Sequence, residues 1–484
     1  MSDLTLSDLT MSDLTLATSD GGARAIGAAA RAALATGRRG SVCLPGEPGY
    51  EEARSLWNAM IDRRPGLVLR CAAAADVMRA VAFARDNGLL LAVRGGGHNI
   101  AGNAVCDGGL MIDLSPMRSV RVDPAARRAW VGPGATLGDL DRETQAFGLV
   151  VPTGINSTTG VAGLTLGGGF GWTTRKFGLT VDNLQSVDLV TADAELIRAS
   201  ETENGDLFWA LRGGGGNFGI ATSFEFRLHP LGPEVLSGLL VHPLDGAADL
   251  LRAFRGIAAR APDALTCWAV LRQAPPLPFL PAEWHGREVL IFAACYSGDM
   301  PEGERAMAEL RALGRPIADV IGPHPFTGWQ SAFDPLLTPG ARNYWKSHDF
   351  LDLSDAVIEI LLDAVRRLPG PECELFVAHL GGAMSRVPAD ATAFPLRRPH
   401  FVLNAHARWR DRSEDAACIG WARDLFQAAA PYAAGSAYVN FMPADEGGRV
   451  EQAYGGQYRR LAEVKRRYDP DNLFRLNQNI RPAA

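Results

Sequence analysis

The stretch at residues 91–109, LAVRGGGHNIAGNAVCDGG, gathers the residues best suited to chemistry in a chain of 484 residues. An apolar run at 89–93 ends in Arg94-Gly95-Gly96-Gly97-His98-Asn99. Glycines let a backbone turn tightly and come close to a ligand. Successive N–H groups in such a turn form a concave anion site. His98 closes the loop, where a large flat ligand can meet it. Two more glycine-dense segments follow, GVAGLTLGGGFG at 160–171 and GGGGNFG at 213–219. Glycine is costly inside regular elements, so three such clusters fit one extended polar ligand wrapped by loops.

The elements that must position these loops follow from periodicity. Residues 75–87 place Val77, Val81 and Ala84 at helical spacing. Gly88 ends that helix and the chain enters a buried strand at 89–93. A strand, a helix and a strand before a glycine loop suggest a Rossmann unit, but no helix-opening G-x-G-x-x-G follows, which excludes it. Short strands are expected at 110–114, 119–122 and 129–131, separated by Pro116, Pro124 and Gly132. A helix at 136–147 is capped by Thr136, with Asp139 near its start. Residues 184–190 and 195–199 read as a hairpin about Ala192-Asp193, and 221–228 as a further strand. At the N-terminus SDLT occurs three times. Residues 1–24 are read as a flexible leader without chemistry, and the alanine-rich segment 25–36 as a helix.

His229-Pro230-Leu231-Gly232-Pro233 marks a boundary. Beyond it, helices at 246–259, 301–313, 354–368 and 413–429 alternate with strands at 265–271, 288–296, 373–380 and 401–409. This pattern predicts helices over one face of an antiparallel sheet. In the last strand Asn404, His406 and Arg408 share one face, and Leu403, Ala405, Ala407 and Trp409 the other. If helices cover the apolar face, the polar face overlooks the ligand, and His406 is a candidate base. Glu374 and His379 sit on opposite faces of the neighbouring strand and are weaker candidates. PPLPFLPAEW at 275–284 reads either as an apolar wall or as a surface loop stiffened by proline.

Composition narrows the class. A hydrophobic content of 47% with 21% charged residues is that of a soluble globular protein. A net charge of −6 argues against nucleic acid or an anionic membrane as partner. No apolar run approaches the roughly 20 residues of a membrane span, and the N-terminus lacks a secretory signal. Seven cysteines, an odd number without Cys-x-x-Cys, disfavour a disulfide scaffold or a zinc site. No metal is expected. Cys295 and Cys373 read as small buried hydrophobes, and the protein as cytoplasmic with reduced thiols.

RGGGHN, VDPAARRAWVGPGATLGDL, TGINSTTGVAGLTLGGGFGW, KFGLTVDNL and LFWALRGGGGNFGIAT together resemble the FAD-binding region of the vanillyl-alcohol-oxidase, or PCMH-type, flavoproteins. With the C-terminal YVNF and YRRLAEVKRRYDPDNLFRLNQNI, the chain resembles the berberine-bridge-enzyme-like branch, including its bacterial 6-hydroxy-D-nicotine-oxidase-like members. The motifs cover residues 66–230 and 436–481. The resemblance implies an α+β, two-domain fold. A PCMH-type FAD-binding domain would span 25–230. A substrate domain with a helix-covered antiparallel sheet would span 231–435, and a segment at 436–484 would return to the FAD domain.

It also implies FAD as cofactor, joined covalently through its 8α-methyl carbon to His98. A neutral histidine nitrogen is a competent nucleophile. Where many relatives carry a second linking cysteine this chain has Asn156, and no cysteine lies between 107 and 266, so His98 is the single link. Arg94, Gly95, Gly96, Gly97, Asn99 and Gly102 are then expected along the pyrophosphate. Thr153, Gly154, Gly160, Gly163, Gly168, Gly169 and Gly171 would approach the diphosphate, ribityl chain and ring. Asn217, Gly219 and Ile220 would reach the adenine side, with Asn440 and Asn477 also on the cofactor. Tyr438 matches the family's Tyr-x-Asn strand, with Asn440 on the same face. It is the second candidate base, provided its pKa, ordinarily about 10, is depressed; otherwise it is a packed tyrosine. Phe177 stands where some relatives use a second tyrosine, which puts a two-tyrosine mechanism in doubt. Thr159 falls where relatives gate oxygen, and Tyr344, Trp345 and Lys346 are expected at the pocket.

The implied activity is that of an FAD-dependent oxidoreductase, an oxidase. It would move hydride from an alcohol or amine carbon to flavin N5 and reduce O2 to H2O2, with Tyr438 or His406 removing the proton. The alternatives are a dehydrogenase with another electron acceptor and a flavin-binding protein that has lost its base. The partners are a small-molecule substrate and O2, and the chain would be a monomer or homodimer.

Overall fold

The computed structural model describes residues 14–35 and 37–484. The expected leader is corrected in part. Residues 1–13 lie outside the described residues, whereas Leu14–Ala17 and Ala23–Ile26 pair as an antiparallel hairpin. Leu16 is the reason: it is fully buried in a cluster with Leu67 and Leu110, and burying one such side chain is worth about 1.5–3 kcal/mol.

The N-terminal half is built on two sheets. In the first, Leu67–Arg70 and Leu91–Arg94 both run parallel to Leu110–Asp113, and Ser41–Cys43 flanks the edge. The helix Ala74–Asp86 covers it with Val77, Ala80, Val81 and Ala84 buried. Asp76, in the first turn, accepts the backbone N–H groups of Arg39, Gly40 and Ala72 at 3.0 Å each. The second sheet is antiparallel, in the order Leu196–Ser200, Leu184–Val190, Ile220–Arg227, Arg128–Val131, Val120–Asp123. The helix Leu137–Gln145 begins at a reciprocal Thr136–Asp139 capping box, where the sequence pattern puts it.

The region after residue 231 is one large antiparallel sheet. Its order is Ala318–Asp319, Glu234–Pro243, Glu288–Tyr296, Leu265–Gln273, Glu374–Leu380, His400–Trp409, Arg342–Phe350. Glu234–Pro243 and Arg342–Phe350 are strands that the sequence reading leaves unassigned. Arg342–Phe350, RNYWKSHDF, carries no clean alternation because its polar side chains are buried too. Lys346, for example, pairs with Asp445 at 3.2 Å and Glu446 at 2.8 Å. The helices Ala247–Arg260, Met300–Arg311, Asp355–Val365 and Asp415–Ala429 pack over one face, where Leu403, Ala405, Ala407 and Trp409 join Phe254, Leu361 and Trp421 in one core. The opposite face carries Asn404, His406 and Arg408.

The C-terminal helix Tyr458–Tyr468 shares a core with Phe208 and Phe224 of the N-terminal half. Its fully buried Lys465 donates from Nζ to the carbonyls of Asn217 and Phe474, at 2.6 and 3.0 Å, and pairs with Asp469 at 2.6 Å. The glycine loop at 213–219 is thereby fastened to the chain's end. The seven cysteines are free and buried. Among the described residues no helix is long and apolar enough to cross a membrane.

Candidate active site

A cavity of about 390 Å³ runs between the three glycine loops and the polar face of the large sheet. Two loops meet backbone to backbone at its floor. A Cβ on Gly96 would lie 2.5 Å from Gly160 N, and one on Gly160 would lie 2.5 Å from Gly96 N. Only glycine at both positions lets the loops touch. At Gly163 and Gly216 a Cβ would meet no protein atom within 4 Å, yet both line the cavity. A side chain there would fill only the space left for a ligand. Asn477, also on the wall, has a buried Oδ1 with no partner in the protein. A long cradle of bare backbone with an orphaned polar atom at its edge fits an extended polar cofactor such as FAD.

His98 lies on the cavity wall, its ring stacked on Trp57 with centroids 5.2 Å apart and planes 20° from parallel. The Trp57 backbone N–H donates to Gly97 O at 3.1 Å, and its indole N–H to Leu337 O at 2.8 Å. Thr158 Oγ1 donates to Asn156 Oδ1 at 2.7 Å and lies 3.1 Å from His98 Nε2. With its one proton committed, Thr158 must accept from Nε2–H, which leaves the Nδ1 lone pair free. Burial pushes the His98 pKa down to about 4, so the ring is neutral near pH 7.

Several residues expected at the cofactor do not line the cavity. Arg94 turns away, donating to Ala53 O at 2.7 Å and lying 3.9 Å from Asp113. Gly102 makes a turn with φ +73° packed on Ile61. Thr153 instead meets Gln330 Nε2 at 3.2 Å, behind the wall. Gly168 lies under Phe394, Gly169 against Thr180, and Gly171 against the Thr153 carbonyl. These three are glycine because other protein segments cross them. Asn217 clamps the third loop to the C-terminal segment: its Nδ2 donates to Gly214 O and Gln478 O, and its Oδ1 accepts from Ile480 N. The lining does include Gly95, Gly96, Gly97, His98, Asn99, Gly154, Gly160, Gly163, Gly219, Ile220, Asn440 and Asn477. Asn156 and Thr159 lie there too. Of Tyr344, Trp345 and Lys346, only Trp345 reaches the cavity.

Tyr438 and Asn440 come together, though not on a strand. Val439–Phe441 is a 3-10 turn, and Asn440 Nδ2 donates to the Tyr438 hydroxyl oxygen at 2.9 Å. Gly169 N–H donates to the same oxygen at 3.2 Å. Burial nonetheless raises the Tyr438 pKa to about 12, only partly offset by these two donors. The requirement for a depressed tyrosine pKa is not met: the group is a phenol near pH 7.

The far wall is a belt of rings. Trp57 meets Trp345 edge-on at 5.8 Å, Trp345 meets Phe441 at 5.5 Å, and Phe441 meets Phe376 at 5.9 Å. Trp268 stacks on Phe376 at 5.5 Å, and Phe170 sits 4.8 Å from Tyr438. Sequence reasoning missed Trp57, Trp268, Phe376 and Phe441, whose aromatic character alone does not separate pocket from core. Pro275 and Leu277 also line the cavity, so the proline-rich segment contributes to the wall, while its Phe279 stays exposed.

One polar cluster interrupts this apolar wall. Arg272 Nη1 lies 2.5 Å from Glu374 Oε2, and Glu374 Oε1 lies 3.5 Å from His406 Nδ1. The Arg272 guanidinium holds the Glu374 carboxyl down at about 2 despite its burial. Burial depresses the His406 pKa more than Glu374 raises it, leaving the ring neutral near pH 7. Asn404 Oδ1 and the indole N–H groups of Trp268 and Trp345 are buried without protein partners. His379, the other weak candidate, bonds Arg175 at 3.0 Å, away from the cavity.

Comparison with known proteins agrees with this geometry. Residues 65–200 match the model described as an FAD binding domain, and 437–481 the one described as berberine and berberine like. The chain is similar to an FAD-linked oxidoreductase of Dictyostelium discoideum, 32% identical over 92% of this chain and 95% of the relative. It is also similar to (R)-6-hydroxynicotine oxidase of Paenarthrobacter nicotinovorans, 31% identical over 92% of this chain and 97% of the relative. The crystal structure of 6-hydroxy-D-nicotine oxidase from Arthrobacter nicotinovorans superposes with a TM-score of 0.83 at 30% identity, covering 92% of this chain and 98% of that one.

Proposed function

The chain belongs to the FAD-linked oxidoreductases with a berberine-like C-terminal segment, and on that premise we propose that it is an oxidase of a largely apolar alcohol, with FAD joined covalently to His98 alone. The observation that carries this reading is the cavity itself. Bare glycine backbone and a neutral histidine lie along one side, and an aromatic wall with a single polar cluster along the other. The chemistry that FAD supplies when bound is acceptance of two electrons and a hydrogen from the substrate carbon and their delivery to dioxygen as hydrogen peroxide.

The protein's own residues do the rest. Gly95, Gly96, Gly97, Gly160 and Gly163 let the backbone approach the cofactor, and Trp57 fixes the plane of His98. The aromatic belt excludes water and orients an apolar substrate by stacking and edge contacts. His406 takes the hydroxyl proton, since it is neutral and faces the cavity. Tyr438 acts as a hydrogen-bond donor: two N–H groups already point at its oxygen, so its own proton is directed elsewhere. An alcohol suits the cluster better than an ammonium group, because Glu374 has one oxygen held by Arg272 and the other facing His406, which leaves neither for an ammonium. A sugar would leave most of its hydroxyls against apolar rings. Thr159, a small residue on the wall, leaves room for dioxygen.

Two measurements test the reading. Acid denaturation should leave the yellow colour on the chain, and mass mapping should place the modification on the peptide containing His98. Free flavin in the supernatant would overturn the covalent link. Anaerobic mixing with a panel of aromatic and aliphatic alcohols, sugars and amines should bleach the flavin with an apolar alcohol, and air should restore the colour with one peroxide per turnover. Bleaching without peroxide would make the protein a dehydrogenase, and no bleaching a binding protein.

A further inference from the structure

Resting on the reading of His406 as the base, we propose that Asn343, a residue behind the pocket wall, fixes His406 in the Nε2–H form, so that Nδ1 is the atom that takes the substrate proton. The step is a single proton transfer: the substrate O–H bond breaks and an Nδ1–H bond forms, leaving an imidazolium.

The argument begins with an amide that cannot turn over. Asn343 lies in the strand Arg342–Phe350, and its Nδ2 donates to Ala341 O at 2.9 Å. A flipped amide would set two carbonyl oxygens against each other, so Oδ1 is the atom presented to His406 Nε2, at 3.1 Å. An amide oxygen only accepts, and its 3.1 Å contact is shorter than the 3.5 Å from Nδ1 to Glu374, so the one hydrogen of the neutral ring sits on Nε2. In a neutral imidazole the other nitrogen is then bare. Asn343 is 1% exposed and does not line the cavity, whereas His406 and Glu374 do.

Nδ1 also has the surroundings a proton acceptor needs. The Glu374 carboxylate stands 3.5 Å away, at the outer limit of hydrogen bonding, and its second oxygen is held by Arg272. The resting lone pair faces a negative charge, and that mismatch becomes an attraction once Nδ1 is protonated. The charged groups facing His406 are Glu374 on the neighbouring strand, Arg272 on the strand beyond it and Arg408 on its own. Arg408 is committed to Glu372 at 2.9 Å and to Thr338 O at 2.7 Å. Asn343 is thus a positioning residue, and Glu374 the stabiliser of the imidazolium.

The side chain of Asn343 can be changed without undoing its neighbourhood. Asn58 grips residue 343 through the backbone, accepting from its N–H and donating to its carbonyl, each at 2.9 Å. The test uses the flavin-loaded protein with ¹⁵N-labelled histidine, the His406 signals being assigned by their loss in His406→Asn. Wild type should show the Nε2–H tautomer at pH 8. Asn343→Leu should show Nδ1–H, now donated to Glu374, with kcat/KM down by about 100-fold, the lower end of what a general base contributes. Asn343→Asp should keep Nε2–H and move the acidic limb of the kcat/KM profile to higher pH, because a carboxylate favours the imidazolium. Nδ1–H in the wild type, or an unchanged tautomer in Asn343→Leu, would overturn the proposal. The tautomer is read without turnover, so a panel in which no alcohol bleaches the flavin would sink the functional reading alone.

Discussion

At the scale of single residues, the two candidate bases separate by what surrounds them rather than by their type. Tyr438 is a phenol with a pKa near 12, so Tyr438→Phe should lower kcat while leaving the pH profile of kcat/KM in place. His406→Asn should remove the acidic limb, and stopped-flow flavin reduction across pH 5–9 checks both. Asp141 offers a stability test. It is 2% exposed, and burial lifts its pKa to about 7, opposed only by the Gln330 amide at 3.0 Å. A carboxyl whose folded pKa exceeds its unfolded value of about 3.9 costs stability as pH rises through that window. Asp141→Asn should therefore stabilise the protein at pH 8 by on the order of a few kcal/mol and change little at pH 4, measured by thermal melts at both. None of this is legible in the sequence, where Asp141 is one acidic residue on an amphipathic helix.

At the scale of elements, the glycine clusters were legible as a group but not one by one. Gly96, Gly160 and Gly163 touch the cavity, whereas Gly168, Gly169 and Gly171 are glycine because Phe394, Thr180 and Thr153 cross them. Both needs write the same letter, and only the crossing segments tell them apart. Alternation put Asn404, His406 and Arg408 on the face opposite the helices, and the packing agrees because a ten-residue strand keeps its period. The same rule mistook 438–441 for a strand, since four residues fit a 3-10 turn as well. Strand Arg342–Phe350 was missed because distant acids neutralise its buried lysine. The contact between loops predicts that Gly160→Ala must separate them: flavin content of the purified protein should fall several-fold, read from absorbance per chain.

At the scale of the whole molecule, buried neutral histidines tie the fold to pH. Burial holds His348 at about 4 and His379 at about 3. Their unfolded values lie near 6.5, so the unfolded chain binds more protons between those limits, and stability is lost as pH falls from about 6.5. These two alone should cost on the order of 2 kcal/mol between pH 6 and 5, visible as a lower Tm. His379→Asn should flatten that slope. The Gly96–Gly160 contact has a consequence of another kind. The histidine loop takes its shape from Trp57 on one side and Gly160 on the other, so no nascent or excised GGGHN segment has that shape by itself. If His98 bonds its cofactor only when so shaped, the bond is a lasting mark that a chain once reached its native state. The flavin fluorescence of a denaturing gel band would then count, molecule by molecule, the chains that had folded before the gel unfolded them.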